Sequence, residues 1–364
     1  MKLHPHHNAN AKRSGIALIM VLMVITVLGV LAFGFAKSMS VEVKLARNAS
    51  FDTEMEWLGR SGVEAARWVL AEHLTIPNEG NYDALYQYWA GGPYATNEVL
   101  NAINFPLKDI QIGAGKVSLK IIDLERFYNI NLADETALRL AMDVAGVDPT
   151  LAPEVVDCII DWRDTDDATM LNGAESDYYL SLSPPYMAKD GPIDDIEELL
   201  RIKGVTPEIF YGPGATNGGA LPTGGRVGPP GTPQSDVVSL VGLRDMFTPI
   251  SARVINPRTA PREVLLLIPG IDPNNVDNFL TRRKGEDGLD GTEDDFLYQS
   301  LAEILGDLGI VGQGAANASR LMSQRSATFQ VTVTAELNGK LREMVAVLRR
   351  NDQRDVKVLM QYWK

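Results

Sequence analysis

Six carboxylates, Asp161, Asp164, Asp166, Asp167, Glu175 and Asp177, fall within seventeen residues. Mutual repulsion at that density is relieved by a hard cation, and an all-oxygen ligand set favours Ca²⁺ over transition metals. Asp164, Asp166 and Glu175 stand at positions 1, 3 and 12 of an EF-hand loop, but Ala168 and Thr169 break positions 5 and 6, so the segment is not an EF-hand. A second, glycine-rich cluster holds Asp287, Asp290, Glu293, Asp294 and Asp295 and departs further from that pattern. For both clusters the competing reading is a solvated acidic loop.

Catalytic chemistry has less to work with. His4, His6 and His7 lie in the N-terminal leader, and His73 lies on a long helical stretch. Cys158, the only cysteine, sits between Asp157 and Ile159 in an apolar helix, where a thiol is packed rather than reactive, and it excludes an internal disulfide. Paired acids can hydrolyse glycosides in principle, yet their density here suits a cation better. No catalysis is expected.

The elements that position these acids follow an N-terminal anchor. Ile16 to Ala36 is a run of 21 residues with one polar member, Thr26, long enough to cross a ~30 Å hydrocarbon core as a helix. Lys2, Lys12 and Arg13 precede it with no acid, so the N-terminus is expected in the cytoplasm and everything after Lys37 across the inner membrane. The run exceeds a cleavable signal core, and a processing candidate, Gly15, precedes it. This arrangement resembles the class III leader of type IV pilins and type II secretion pseudopilins, which a prepilin peptidase cuts after the Gly before the new N-terminus is methylated. An uncut signal anchor is the other reading. No proline occurs from Ile16 to Ile76, and Leu45, Phe51, Met55, Leu58, Gly62, Ala65, Val69 and Leu74 recur near 3–4 spacing. One helix of about 60 residues, half in lipid and half packed on a soluble body, accounts for both.

Beyond a loop from Pro77 to Pro106, Lys116 to Ile122 alternates as a strand. Thr328 to Glu336 and Lys340 to Arg349 form a hairpin through Asn338-Gly339, and Asp355 to Tyr362 is a last strand. Leu124 to about Arg325 reads as mostly helical with a weak repeat. Its first copy runs from Asn129-Ile130-Asn131 through Gly146-Val147-Asp148-Pro149 to the first acidic cluster. The second runs from Val254-Ile255-Asn256-Pro257 through Gly270-Ile271-Asp272-Pro273 to the second cluster. Between them, residues 212–233 hold eight Gly and five Pro and form a loop.

The expected class is therefore α+β: a long N-terminal helix on a small antiparallel pilin-like sheet, interrupted by a large inserted α-helical domain. The divisions are a basic leader (1–15), a transmembrane helix (16–36), an amphipathic helix and first part of the sheet domain (37–123), the insertion (124–325) and C-terminal strands (326–364). Net charge is −13 over 364 residues, nearly all of it after Lys37, and such a body repels nucleic acid. The alternative is a membrane-tethered, competence-type DNA-binding protein, since the paired helix–turn–helix units are superficially similar to helix-hairpin-helix modules. Its turns would need basic residues, whereas here they carry Asp148 and Asp272.

Taken together, these segments resemble the minor pseudopilin K family of type II secretion systems. The resemblance rests on the leader, Asn129-Ile130-Asn131, Asp161-Trp162-Arg163-Asp164 with Asp166-Asp167, and Gly173-Ala174-Glu175 with Tyr178-Tyr179. Ile196-Glu197-Glu198-Leu199-Leu200 before Lys203-Gly204-Val205, and Asn256 with Thr259-Ala260, extend it over nearly the whole chain. It implies a subunit of the pseudopilus tip that primes fibre assembly and aids protein export across the outer membrane. The implied partners are the I- and J-type minor pseudopilins, the major pseudopilin, the prepilin peptidase and the inner membrane, with calcium bound in the helical domain. It also implies cleavage before Ile16, which makes Met20 the fifth mature residue, where major pilins carry Glu. An ionised carboxylate in the bilayer costs about 2–4 kcal/mol or more and persists only beside a partner charge, taken to be the N-terminal amine of the subunit ahead. A subunit with Met20 has nothing to neutralise there, as expected at the tip; Met also simply favours insertion, and both readings can hold.

Overall fold

The computed structural model describes residues 14–77, 79–92, 105–212 and 241–364. The expectations for the leader up to residue 13 and for the Gly/Pro loop beyond Gly212 lie outside the described residues.

Helix α1, Ser14–His73, is continuous over 60 residues and so about 90 Å long. Its apolar side chains from Ile16 to Phe35 are exposed, with none of the described residues packed over them. Thr26 does not disturb this surface, because its hydroxyl donates back to the carbonyls of Leu22 (3.0 Å) and Met23 (2.9 Å). The second half buries Met55, Leu58, Val63, Ala66, Val69 and Leu70. The buried stripe includes the expected Met55, Leu58, Gly62 and Val69, whereas Leu45 is exposed because it precedes the body of the protein.

That stripe packs on a five-stranded antiparallel sheet of order β1-β2-β5-β6-β7. Its strands are β1 (Ile110–Ile112), β2 (Gly115–Asp123), β5 (Thr328–Leu337), β6 (Lys340–Asp352) and β7 (Asp355–Trp363). Alternation aims Val117, Leu119 and Ile121 of β2, and Phe329, Val331, Val333, Ala335 and Leu337 of β5, at α1. Gly62 permits the approach, since a side-chain carbon there would collide with the Val333 methyls. Asn338 and Gly339 both take positive φ, 52° and 76°, as a type I′ hairpin requires. Strand β1 went unforeseen because three residues carry no alternation to read.

Between β2 and β5 the chain leaves the sheet. It makes a short parallel pair, β3 (Tyr128–Asn129) with β4 (Phe247–Thr248), and helices α2 (Glu135–Val144), α3 (Ala152–Arg163), α4 (Ser176–Leu180), α5 (Pro207–Tyr211), α6 (Leu243–Met246), α7 (Arg262–Leu265), α8 (Pro273–Arg283), α9 (Leu301–Asp307) and α10 (Gln313–Leu321). These enclose a second apolar core, separate from the one beneath α1, built on Ile130, Leu138, Met142, Ile159, Trp162, Tyr179, Phe210, Leu265 and Phe279. The region is less helical than expected. Long loops such as 164–175 and 284–300 intervene, ordered by Asp side chains that accept from nearby backbone N–H groups.

The two segments of the expected repeat make similar contacts, in a register that differs from the sequence pattern. Asn129 corresponds to Asn256, each carboxamide oxygen accepting the N–H two residues on (2.9 and 3.1 Å). Arg163, closing α3, donates to the carbonyls of Ile130 and Ala133. Arg283, closing α8, donates to those of Pro257 (2.9 Å) and Ala260 (2.7 Å), the matching positions. Gly146 and Gly270 end the preceding helical segments at φ 68° and 83°.

Where the two cores meet, buried polar groups join them. The Glu125 carboxylate accepts from Ala252 N–H (2.8 Å) on the helical side and from Thr328 N–H (2.9 Å) on the sheet side. Asp123 accepts from Thr259 (2.5 Å), Ser326 (2.7 Å) and Glu125 N–H (2.8 Å), and burial, followed by Glu125, raises its pKa. His73, fully buried at the end of α1, lies 3.7 Å from Asp83. Burial outweighs the attraction of Asp83 and is assisted by repulsion from Arg350, lowering the imidazole to about 4. The unfolded chain thus takes up this proton first. Stability from neutral His73 is complete above about pH 6.5 and drains as pH falls towards 4. A His73→Gln variant should show a shallower acid limb in urea unfolding over that window; superimposable limbs would refute the assignment.

Candidate functional site

The first acidic cluster is assembled by the end of α3, the loop after it and the start of α4. Pro153 lies in the first turn of α3, and the four-residue spacing sets Asp157 and Asp161 on one inward face. Asp157 accepts from Asn172 through N–H (3.0 Å) and Nδ2 (2.9 Å), and Asp161 accepts from Met170 N–H (3.2 Å), so both clamp the returning loop. The loop passes close enough that a side chain at Gly173 would overlap the Asp161 carboxylate. Trp162 stacks edge-on against Tyr179 (5.2 Å), locking α4 to α3, and the Tyr179 hydroxyl accepts from Lys203 N–H (3.3 Å). The motif residues Trp162 and Tyr179 thereby hold the acids in place.

Five carboxylates converge as two triads that share one member. Asp161, Asp164 and Glu175 each place an oxygen within 4.8 Å of the others, and so do Asp167, Glu175 and Asp190. Glu175 is 4% exposed, yet neither of its carboxylate oxygens has a hydrogen-bond partner. Burial raises its pKa to about 7, with Asp161, Asp164, Asp190 and Asp167 adding to the rise. Asp161 is also raised, chiefly by burial. Asp190 sits at φ 50° with one buried, unpartnered oxygen. Orphaned, buried, oxygen-only groups of one charge are a set that a calcium ion satisfies. Calcium there would neutralise the cluster and cross-link α3, α4 and the 188–191 turn.

Asp166 and Asp177 stand outside both triads. Asp166 is exposed and accepts from Ala168 N–H (2.9 Å), and Asp177 is exposed in the first turn of α4. Sequence reasoning passed over Asp190, which lies fifteen residues beyond Glu175; the nearest signal was its place before Gly191 in a turn.

The carboxylates of the second cluster face their own loop. Asp290 pairs with the buried Arg283 (2.8 and 3.0 Å). Asp294 accepts from Glu286 N–H (2.6 Å), Asp287 N–H (2.9 Å) and Thr292 (2.9 Å), bonds that hold its pKa below the usual range. Asp287 accepts from Leu289 N–H (2.7 Å), Asp295 accepts from Gly291 N–H (2.8 Å), and Glu293 is exposed. Among the described residues these acids form no triad comparable with the first. A cation here would compete with bonds already made.

At the N-terminus, α1 includes Gly15 at its start, and Ile16 and Met20 are exposed (61% and 62%) on the apolar half.

A family model for type II secretion system (T2SS) protein K matches residues 122–211, the stretch that carries the first repeat and both triads. A putative type II secretion system protein K of Escherichia coli K12 is 26% identical over 203 residues, covering 55% of this chain and 61% of that protein. The protein K of Klebsiella pneumoniae is 25% identical over 218 residues, again 55% and 61%. The chain thus spans 61% of the length of these relatives. In three dimensions it is similar to a chain from the GspK–GspI–GspJ complex of the enterotoxigenic E. coli type 2 secretion system, with TM-score 0.61 and 15% identity. That match covers 88% of this chain and 99% of the other, and it establishes the shared fold.

Proposed function

We propose that the chain is a member of the type II secretion system protein K family, whose model and relatives it matches, and a minor pseudopilin that joins the tip of the periplasmic pseudopilus and primes its growth. The observation that carries this is one continuous helix, apolar and uncovered from Ile16 to Phe35, whose other end is roofed by a sheet and a large helical body. Such a helix can pass from lipid into a bundle of like helices, while the body is too bulky to be buried along a fibre. The pilin-like part comprises residues 37–123 and 326–364, and 124–325 is the helical insertion. Its partners are the I- and J-type minor pseudopilins, in keeping with the complex from which the solved neighbour comes, and the major pseudopilin. The helix crosses the inner membrane once, with the N-terminus cytoplasmic and the body periplasmic.

Processing follows from the same reading: a prepilin peptidase cuts between Gly15 and Ile16, and the new amine is methylated. Met20 then stands where a carboxylate would otherwise meet the amine of a subunit ahead, consistent with there being none. Calcium occupies the Asp161–Glu175 region, held by Asp161, Asp164, Asp167, Glu175 and Asp190, and it acts as a structural clamp. The family role is structural, and we assign the chain no catalysis. The DNA-binding alternative is not favoured: the turns carry Asp148 and Asp272, both exposed.

Co-expression with a prepilin peptidase should yield a mature N-terminus at Ile16 by mass spectrometry, with added methyl mass. A persistent Met1, or cleavage beyond Ala36, would refute the pseudopilin reading.

A further inference from the structure

We propose that a cavity where the two repeats begin binds a short peptide segment presenting one apolar side chain beside one carboxylate. The cavity holds about 290 Å³ and lies where β3 meets the irregular residues 252–255 and the end of α10. Tyr128, Leu132, Val254 and Leu321 make its walls apolar, and Leu132 is 40% exposed to it and to solvent. Arg253 and Arg320 are the charged members of its lining.

Several arginines of the helical body are already committed to partners. Arg163 and Arg283, which close the paired helices of the repeats, are tied to backbone carbonyls. Arg262, Arg282 and Arg283 each meet an aspartate. Arg253 and Arg320 show no ion pair or side-chain hydrogen bond among the described residues, although the chain carries 47 Asp and Glu against 34 Lys and Arg. Arg201 and Arg244 are likewise without an ion pair among the described residues, but Arg253 and Arg320 line one apolar cavity together, and two uncompensated guanidinium groups there form a local electropositive site. The planar fork of Arg matches a carboxylate in bidentate fashion, and the walls supply a place for the neighbouring apolar group.

Size narrows the occupant. Ligand pockets run from roughly 300 to 1,000 Å³, so this cavity, at about 290 Å³, takes a side chain of Leu or Phe size rather than a cofactor or a membrane acyl chain. A peptide supplies the apolar group and the acid at adjacent positions. This inference is independent of the calcium site and of the secretion role.

The test uses the full chain in detergent and a fluorescein-labelled, amidated nonapeptide with Leu-Glu at the centre of a Gly-Ser frame, read by fluorescence anisotropy. Charge-assisted hydrogen bonds contribute about 1.5–3 kcal/mol, so Arg253→Gln with Arg320→Gln should weaken binding at least about tenfold. A peptide with Gln in place of Glu should lose as much, and Leu132→Ser should weaken binding without changing the charge dependence. All three residues are surface-exposed, and unchanged thermal melts would show the variants folded. The proposal is overturned if the peptide does not bind, if the Gln peptide or the double Arg variant binds equally well, or if inorganic phosphate or octanoate displaces the probe as effectively as unlabelled peptide.

Discussion

Asp83→Ala should remove about 3–5 kcal/mol of folding stability, the range for stripping one partner from a buried ion pair, seen as a lower urea midpoint at unchanged slope. Arg350 Nη2 donates to both Asp83 oxygens (2.7 and 2.6 Å) and to the Ser326 carbonyl (2.9 Å). Both side chains are essentially inaccessible to water (0% and 1% exposed). Arg350 also lies over the Phe329 ring, 4.6 Å from its centroid, deep in the core beneath α1. Truncating Asp83 strands the guanidinium there and frees Ser326 N–H, which the same carboxylate accepts at 2.8 Å. The pair ties the loop after α1 to β6 at the seam between the two cores, so its loss should loosen α1 from the sheet. Replacing both residues with apolar ones, Asp83→Leu with Arg350→Met, should recover much of the loss, because the penalty lies in the unpaired charge. A loss under about 1 kcal/mol in the single variant would refute the account.

The second large effect is a reversal of sign at Glu175. With calcium saturating at about a hundred times Kd, linkage predicts about 2.7 kcal/mol of added stability, or roughly 5–10 °C in the melting temperature of a domain of this size. Chelator should remove it, and Glu175→Gln should then lower the calcium-loaded melt. In chelator the same substitution should raise the melt, because the carboxylate is buried without partners among four like charges. The pH dependence has a definite direction. The Glu175 pKa is raised from 4.5 to about 7 in the folded state, so the folded protein binds the extra proton between those values. In chelator, stability therefore falls as pH rises from about 4.5 to 7, and the Gln variant should lack that component. Coincident melts with calcium and chelator would leave the cluster a solvated loop.

Much of the architecture was legible in the sequence because it rests on local periodicity. The uninterrupted helix, the alternating β2 and β5, and Asn338-Gly339 as the hairpin turn each express steric preference within a few residues. Gly146 and Gly270 likewise announced their helix ends. The candidate site was legible in part. The density of acids marked the 161–177 region, but density does not say which acids meet. Asp166 turned to its own backbone, Asp177 stayed exposed, and Asp190 entered from a turn that Ala188, donating to Ser176 at the start of α4, ties close. The second cluster looked equally acidic, yet Arg283 and the local N–H groups absorb its carboxylates.

The sequence by itself determined the apolar run of α1, the length of that helix and the strand faces. For these, an apolar run or a fixed period is enough to dictate which side is apolar and which meets core or water. Only the tertiary structure decided that Arg163 and Arg283 bind carbonyls that follow Asn129 and Asn256 at matching positions. It also decided that Asp83 meets Arg350 across 267 residues of chain, and that Glu175 is left with no donor. Those outcomes depend on distances between elements remote in sequence, where a buried charge takes its energy from whichever groups the packing brings beside it.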